Sequence, residues 1–357
     1  MFADIPNYLV VSGLGILIGF AFGAIAWRTQ FCIAGSVFAA VGGNDRRGHR
    51  AIFLATATAL ILTQLLHTQG AIDINASIYR TATFHWFGAI AGGFVFGYGM
   101  ILGSGCGAGS LVKLGGGDLR AIIVLIFIAV FGYMTLRGLT GMPRVGLEQA
   151  LDIDLSSFGI ASQGLEHIVG AAWQGDPELS RWPVTVLVAA GLLVYVMADR
   201  AFRGSAVHIV SGLGVGGLVA AGWYVTGYVG ADEFEPAAVA SLTFVAPVAN
   251  TLQYAMTYTG STINFGIGTV IGIVLGSAFM ALLRKEFNFQ YVDGDRDYVN
   301  AMVGGAMMGI GGVFAFGCSI GNGLTGISTL SLGAILAWAA ILTGGYLAAH
   351  RMLRIND

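Results

Sequence analysis

The amino-acid sequence predicts an all-α integral membrane protein, and three observations predict it: the composition, the long apolar segments and the glycine content. Hydrophobic residues make up 56% of the chain and charged residues 10%, whereas soluble proteins carry roughly 25% charged residues. Glycine contributes 56 of the 357 residues, and small residues let helices pack closely within a membrane. We therefore expect a single domain embedded in the lipid bilayer, with no soluble domain and no nucleic-acid partner.

Nine segments approach the roughly 20 apolar residues that a membrane-spanning helix requires. They lie at about 8–27, 49–68, 84–102, 119–138, 181–199, 207–229, 262–283, 298–316 and 331–349. No basic residue precedes the first segment and no cleavage pattern follows it, so we expect a retained helix rather than a signal peptide. Glycine pairs at helical spacing, such as Gly19-x-x-x-Gly23, predict close contacts between helices.

The distribution of Lys and Arg predicts the orientation, because basic residues near the ends of spans resist translocation. With the N-terminus outside and the C-terminus in the cytoplasm, most basic residues face the cytoplasm. Four are then left outside: Arg80, Arg137, Arg144 and Arg181. The acidic stretch 232–235 and the loop 139–180 would also be external.

Part of the sequence occurs twice. Aligning Cys106 with Cys318 superposes a series of glycines: Gly92 and Gly93 on Gly304 and Gly305, Gly97 on Gly309, Gly99 on Gly311, Gly105 on Gly317, and Gly109 on Gly321. We therefore expect one repeat at about 8–138 and another at about 207–349, joined by an external loop and a connecting helix at 139–199. Because the fifth span lies between them, the second repeat would be inverted about a pseudo-twofold axis, as in many transporters with a midplane substrate site.

The three cysteines lie in similar glycine-rich settings, at residues 28–35, 103–109 and 316–321. Residues 103–118 and 317–330 are too few to cross a membrane twice and too apolar for ordinary surface loops. Irregular backbone at membrane depth is tolerated only where it packs in protein or lines a cavity. We therefore expect re-entrant loops along a pathway. A counterpart of the Cys32 loop is expected within 243–260, where there is no cysteine, so the thiols would form an asymmetric line.

In this pattern the chain resembles the YeeE/YedE family of sulfur-compound transporters. That family has one cysteine after the first span, one in a Gly-x-Gly-Cys-x-x-Gly loop and one in a Gly-Cys-x-x-Gly loop, which match Cys32, Cys106 and Cys318. The glycines that frame the last two are Gly105, Gly109, Gly317 and Gly321. The resemblance implies uptake of thiosulfate across the bacterial inner membrane, by successive contact with the thiols. It also implies a small cytoplasmic sulfurtransferase of the TusA type as a partner.

The chemistry of thiols suits this substrate. Thiosulfate is a dianion with a soft terminal sulfur, and thiols are weak neutral donors that replace water without holding the ion too tightly. Backbone N–H groups and helix N-termini supply positive potential. Further candidates are Arg28 and Lys113, which would attract the anion at the cytoplasmic side, and the hydrogen-bonding side chains Ser104, Ser110, Ser319 and Asn322.

Alternatives to thiosulfate transport remain open. The pathway could carry another sulfur or selenium oxyanion. A membrane enzyme for sulfur transfer or thiol redox chemistry would want a low-pKa thiolate beside a base or cation, and no histidine lies near the cysteines in the sequence, so we do not expect an enzyme. The six histidines are scattered and no nucleotide-binding loop is present, so no metal or other cofactor is expected. Each cysteine could also be a small packing residue.

Overall fold

A computed structural model describes residues 6–43, 45–232, 236–292 and 294–356, and these are helical almost throughout. In chain order the α-helices are α1 (Asn7–Thr29), α2 (Ile33–Gly42), α3 (Arg47–Thr68), α4 (Gly93–Leu102), α5 (Gly107–Gly115), α6 (Arg120–Arg137), α7 (Gly141–Leu151), α8 (Leu165–Trp173), α9 (Pro177–Met197), α10 (Arg200–Arg203), α11 (Ala206–Tyr224), α12 (Val245–Met256), α13 (Phe265–Leu283), α14 (Asp295–Phe314) and α15 (Leu332–Asn356). Residues 233–235 of the acidic stretch lie outside the described residues.

Shorter elements complete the chain. Residues 319–328 form a helix whose central part, Gly321–Gly326, is π-helical, and we call it the Cys318 helix. Two other segments are π-helical. Gly88–Gly92 leads directly into α4, and Val225–Val229 follows directly after α11. The 3₁₀ turns are Ile74–Ala76, Ile78–Arg80, Leu155–Phe158 and Tyr258–Gly260. The strands β1 (Thr83–Phe84) and β2 (Ile153–Asp154) pair antiparallel.

Eight helical segments among the described residues are long and apolar enough to cross a membrane, which makes this a multi-pass membrane protein. They are Asn7–Gly42, Arg47–Thr68, Gly88–Gly115, Arg120–Arg137, Pro177–Met197, Ala206–Val229, Phe265–Leu283 and Leu332–Arg354. Each coincides with one of the nine segments predicted from the sequence. The remaining one, 298–316, falls on α14, whose first turn carries Asp295 and Asp297. This helix is not among the eight, so a ninth span stays a prediction.

Glycine faces bring the long helices into backbone contact. Where α1 packs on α13, a β-carbon at Gly19 or Gly23 would overlap the carbonyl of Thr269 or Ile273. Gly97 of α4 faces the Ile341 carbonyl of α15 in the same way. The close helix contacts expected from the glycine spacing are therefore confirmed.

The helices of the two halves pack in corresponding pairs. Helix α1 packs on α13 as α11 packs on α3, and α6 packs on α14 as α15 packs on α4. The short α2 contacts α15, α3 and α4, while α12 contacts α6, α13 and α14. The pairs correspond when the two halves are exchanged, and the inverted orientation of the second repeat stays a prediction.

The segment 139–180 is folded against the backbone that follows the Cys318 helix rather than forming an open loop. It contains α7, β2 and α8, and β2 pairs with β1. The Leu165 N–H donates to the Leu330 carbonyl at 2.9 Å, just beyond the end of the Cys318 helix. The Gln163 carbonyl accepts the Leu332 N–H at 3.0 Å. The segment therefore holds the backbone that follows this helix.

A buried ion pair supports the same junction. Arg80 and Glu166 contact each other, and the side chains of both are fully buried. The Arg80 Nη1 also donates to the Thr329 carbonyl at 3.0 Å, and Arg181 Nη2 lies 4.0 Å from the same carboxylate. Arg181 also pairs with Glu178 at 2.7 Å, so the buried carboxylate of Glu166 belongs to a network of two arginines and two acids, and removing one partner of such a network is strongly destabilising.

Candidate functional site

Each cysteine follows the same turn at the end of a helix. Two residues before it, a residue other than glycine takes a left-handed conformation: Gln30 (φ 55°), Ser104 (φ 57°) and Phe316 (φ 56°). In all three turns this residue donates its N–H to the carbonyl three residues earlier, and the next residue donates to the carbonyl five residues earlier. These are Schellman turns, in which a left-handed residue satisfies the last carbonyls of a helix.

Each cysteine then begins a new helix and caps it with its sulfur. The Sγ atoms of Cys32, Cys106 and Cys318 accept the N–H of the glycine three residues later. The donors are Gly35 at 3.4 Å, Gly109 at 3.5 Å and Gly321 at 3.2 Å. Such a cap places the thiol at the positive end of the helix. The backbone after Cys106 and Cys318 is thus helical rather than irregular, and the re-entrant course of these stretches stays a prediction.

The thiols differ in burial and two of them are neighbours. Cys106 is 2% exposed and Cys318 0% exposed, whereas Cys32 is half-buried, and all three are free. Cys32 and Cys106 both lie beside Gly109. A β-carbon on this glycine would lie 3.5 Å from the Cys32 Sγ and 3.7 Å from the Cys106 Sγ. Cys318 and Ser319 also lie near the Cys106 thiol. The three sequence-predicted cysteines therefore come together, and Cys106 is near both of the others.

The predicted glycines play different parts in this arrangement. The left-handed residue precedes Gly105 and Gly317 in each turn, so neither glycine is needed for an unusual φ. Close approach matters at Gly317 and Gly321 instead, where a β-carbon would lie 3.2 Å from the Tyr79 hydroxyl. At Gly321 it would also lie 2.6 Å from the Thr243 Oγ1.

The predicted hydrogen-bonding side chains have separate environments. The Asn322 Nδ2 donates to the Ala315 and Gly317 carbonyls at 3.0 Å each, so it holds the turn before Cys318. Ser110 is buried in α5, and its Oγ would lie 3.4 Å from a β-carbon on Gly105. Ser319 is fully buried, and its hydroxyl lies beside the Cys106 thiol without a hydrogen bond of normal geometry.

The predicted cations are not brought to the thiols. Arg28 is exposed at the end of α1. The Lys113 Nζ donates to the carbonyl of the exposed Ser104 at 2.6 Å, and Ser104 borders a pocket that is also lined by Arg120 and Arg351. In the part of the chain that the structure describes, no thiol is hydrogen-bonded to a charged side chain. The surroundings of the thiols are thus neutral apart from the helix ends.

Two side chains near Cys318 were not found by sequence reasoning. Thr243 Oγ1 lies 4.0 Å from the Cys318 Sγ. Tyr79, on the 3₁₀ turn Ile78–Arg80, lies across Gly326 and points its hydroxyl at the glycines beside the cysteine. Only Thr243 had a signal, since it begins the region in which a counterpart of Cys32 was expected.

Sequence comparison agrees with this architecture. The chain matches the Sulphur transport family over residues 28–347. It is 25% identical to the thiosulfate transporter TsuA of Spirochaeta thermophila, in an alignment that covers 95% of this chain and 98% of that protein. It is 26% identical to the thiosulfate transporter TsuA of Escherichia coli, with 88% of this chain and 87% of that protein covered. A match that includes the three capped thiols and nearly all of the helices shows that the chain belongs to the Sulphur transport family.

Proposed function

We propose that this protein takes up thiosulfate across the bacterial cytoplasmic membrane by passing it along Cys318, Cys106 and Cys32. One observation carries the proposal: three free thiols, each at the N-terminus of a helix, come together with Cys106 near both of the others. The name of the two relatives supports thiosulfate as the ion. Contact with the thiols in turn would let the ion exchange one weak donor for the next.

The electrostatics of the path favour passage over tight binding. Each helix N-terminus contributes about half a positive charge, so the three helix ends together can compensate much of the charge of a dianion. No lysine or arginine is hydrogen-bonded to a thiol in the described chain, and a full positive charge in this buried setting would make release slow. Neutral thiols with helix ends behind them meet the requirement that an ion enters and also leaves.

The proposed membrane arrangement has nine spans, α14 included, and two inverted repeats. The N-terminus and the segment 139–180 lie outside, and the C-terminus lies in the cytoplasm. The half-buried Cys32 then faces the cytoplasmic exit, where Lys113 and Ser104 lie on the same side of the protein. A cytoplasmic sulfurtransferase of the TusA type would receive the imported thiosulfate there. The corresponding helix pairs of the two halves support the repeat, and the positions of Lys and Arg support the orientation.

Transport of a related sulfur or selenium oxyanion is the second candidate, because helix ends and hydroxyl groups also suit the oxygens of such ions. A sulfur-transfer enzyme is less well supported. Its cysteine would need a neighbouring base or cation to form a thiolate. The described thiols instead accept hydrogen bonds from backbone N–H groups.

The decisive experiment measures radiolabelled thiosulfate uptake into liposomes that contain the purified protein, with analysis of the internal products. Intact thiosulfate inside is the expected result, and Cys106→Ala should reduce its uptake at least about tenfold. The matched control is Gly217→Ala, since Gly217 lies on α11 with nothing near it. Sulfite or a protein persulfide as the product would instead establish an enzyme. Uptake of selenite but not thiosulfate would establish the second candidate.

A further inference from the structure

Thr243 has the position beside Cys318 that Cys32 has beside Cys106. Gly109 and Gly321 are the glycines that donate to the sulfurs of Cys106 and Cys318. A β-carbon on Gly109 would meet the Cys32 Sγ at 3.5 Å, and one on Gly321 would meet the Thr243 Oγ1 at 2.6 Å. Each buried thiol therefore has a half-buried neighbour across the equivalent glycine, a thiol in one half and a hydroxyl in the other.

Tyr79 adds a second hydroxyl at the same place. Its side chain is 4% exposed, and its Oη makes no hydrogen bond of normal geometry although Thr243 is its neighbour. Burial raises the pKa of Tyr79 above its ordinary value, so the hydroxyl stays protonated and can donate. A buried donor without an acceptor is unfavourable by itself, and a ligand that accepts from it would remove this penalty.

A small pocket lies beside this place, and Gln163 of the segment 139–180 contributes to its lining. The pocket is lined by Tyr79, Asn322, Phe316 and two side chains that reach it from elsewhere, His85 and Gln163. Tyr79 and Asn322 both belong to this lining and also lie against Gly317, next to Cys318. The pocket and the surroundings of the thiol therefore share these two side chains.

We propose that Thr243 and Tyr79 form an oxyanion-binding site at the Cys318 end of the thiol line, in which their hydroxyls donate to the oxygens of the transported ion. The inference deepens the proposed function, because it assigns recognition of the oxygens to hydroxyls and contact with sulfur to thiols. Hydroxyls are stronger donors than thiols, and a site of this kind discriminates ions by the position of their oxygens. The line of contacts then begins at Thr243 and ends at Cys32.

A purely structural role for these hydroxyls predicts a different effect of Tyr79→Phe on uptake. If the Tyr79 ring only fills space over Gly326, then Tyr79→Phe keeps the packing and removes an unpaired buried donor, so uptake stays unchanged and the melting temperature rises. If the hydroxyl binds the ion, the same change lowers uptake. A higher melting temperature of Tyr79→Phe together with a lower uptake rate is therefore expected only if the hydroxyl binds the ion.

The test compares four variants in liposome uptake and in stabilisation of the purified protein by thiosulfate, sulfate and selenite. Tyr79→Phe and Thr243→Val should each lower uptake about tenfold or more, since a hydrogen bond to an ion is lost. Thr243→Ser keeps the hydroxyl and should retain most of the uptake. Tyr228→Phe is the matched control, because Tyr228 is 57% exposed.

The possible results separate this inference from the proposed function. Wild-type uptake of thiosulfate with unchanged uptake in both Tyr79→Phe and Thr243→Val overturns the oxyanion site and leaves thiosulfate transport standing. Absence of thiosulfate uptake by the wild-type protein refutes the proposed function. The oxyanion site is then tested with whichever ion stabilises the wild-type protein, by measuring whether that ion also stabilises the Tyr79→Phe and Thr243→Val variants. It is supported if that stabilisation is lost in both variants, and it is overturned if the stabilisation persists or if no ion stabilises the wild-type protein.

Discussion

Replacing Gly109 by alanine tests whether the ion passes between two thiols. Gly109 is buried in the first turn of α5, and its N–H caps the helix through the Cys106 sulfur at 3.5 Å. The added methyl group would lie 3.5 Å from the Cys32 Sγ and 3.7 Å from the Cys106 Sγ. These are ordinary contact distances, so neither side chain has to move. The new methyl group nevertheless occupies the space from which an ion would touch both sulfurs.

The structure predicts opposite effects on stability and transport. Alanine is favoured over glycine within a helix by about 0.5–1 kcal/mol, so the melting temperature should stay the same or rise. Uptake should fall, because the ion loses at least one hydrogen bond to a thiol. Hydrogen bonds to charged groups contribute about 1.5–3 kcal/mol, which corresponds to a loss of roughly tenfold to a hundredfold.

The assay measures thiosulfate uptake into liposomes together with the thermal unfolding of the same purified protein. Gly217→Ala is the control, since a β-carbon there meets nothing within 4 Å and should change neither property appreciably. If Gly109→Ala transports at the wild-type rate while it remains as stable as the wild type, the ion does not pass between these thiols. The order of contacts proposed above would then be wrong.

Other predictions use different properties of the structure. Cys318→Ser should keep the helix cap and part of the uptake, whereas Cys318→Ala should lose nearly all uptake and about 0.5–2 kcal/mol of stability. Growth of cells with thiosulfate as the sulfur source measures the uptake, and equal growth with the two variants would contradict a donor role for the thiol. An impermeant thiol reagent should label a cysteine introduced at Asp232 in whole cells and leave one at Arg46 unlabelled, and the reverse pattern would reject the orientation. Gly276→Leu should destabilise the α1–α13 contact by about 1–3 kcal/mol, because its β-carbon would overlap a carbonyl of α1, while Gly217→Leu should be tolerated in the same thermal assay.

The sequence by itself was enough to predict the membrane class, the positions of eight spanning helices and the glycine contacts between them. These features depend on hydrophobicity and residue size summed over long segments, which leave a strong local signal. The cysteine motifs were also visible, because each includes a glycine three residues after the cysteine. That spacing serves the cap seen at Gly35, Gly109 and Gly321, where the N–H meets the sulfur.

The sequence was misleading about the backbone after the cysteines. Residues 103–118 and 317–330 were expected to be irregular because they are too short to cross a membrane twice and too apolar for surface loops. Most of each stretch is nevertheless helical, in α5 and in the Cys318 helix, although glycine has a low helix propensity. The reason is that backbone N–H and C=O groups within a membrane protein must be satisfied, and a helix satisfies them within one segment. Where the surroundings exclude water, this requirement outweighs the intrinsic preference of glycine.

Only the tertiary structure decided which side chains meet at the thiols. Tyr79 and Thr243 are separated along the chain from Cys318 by long stretches, and neither belongs to a motif that predicts their contact with it. The docking of residues 163–165 beyond the Cys318 helix is equally non-local. Such contacts depend on how whole helices pack, and a single sequence carries no local signal for them, whereas hydrophobicity and caps act within a few turns of one helix.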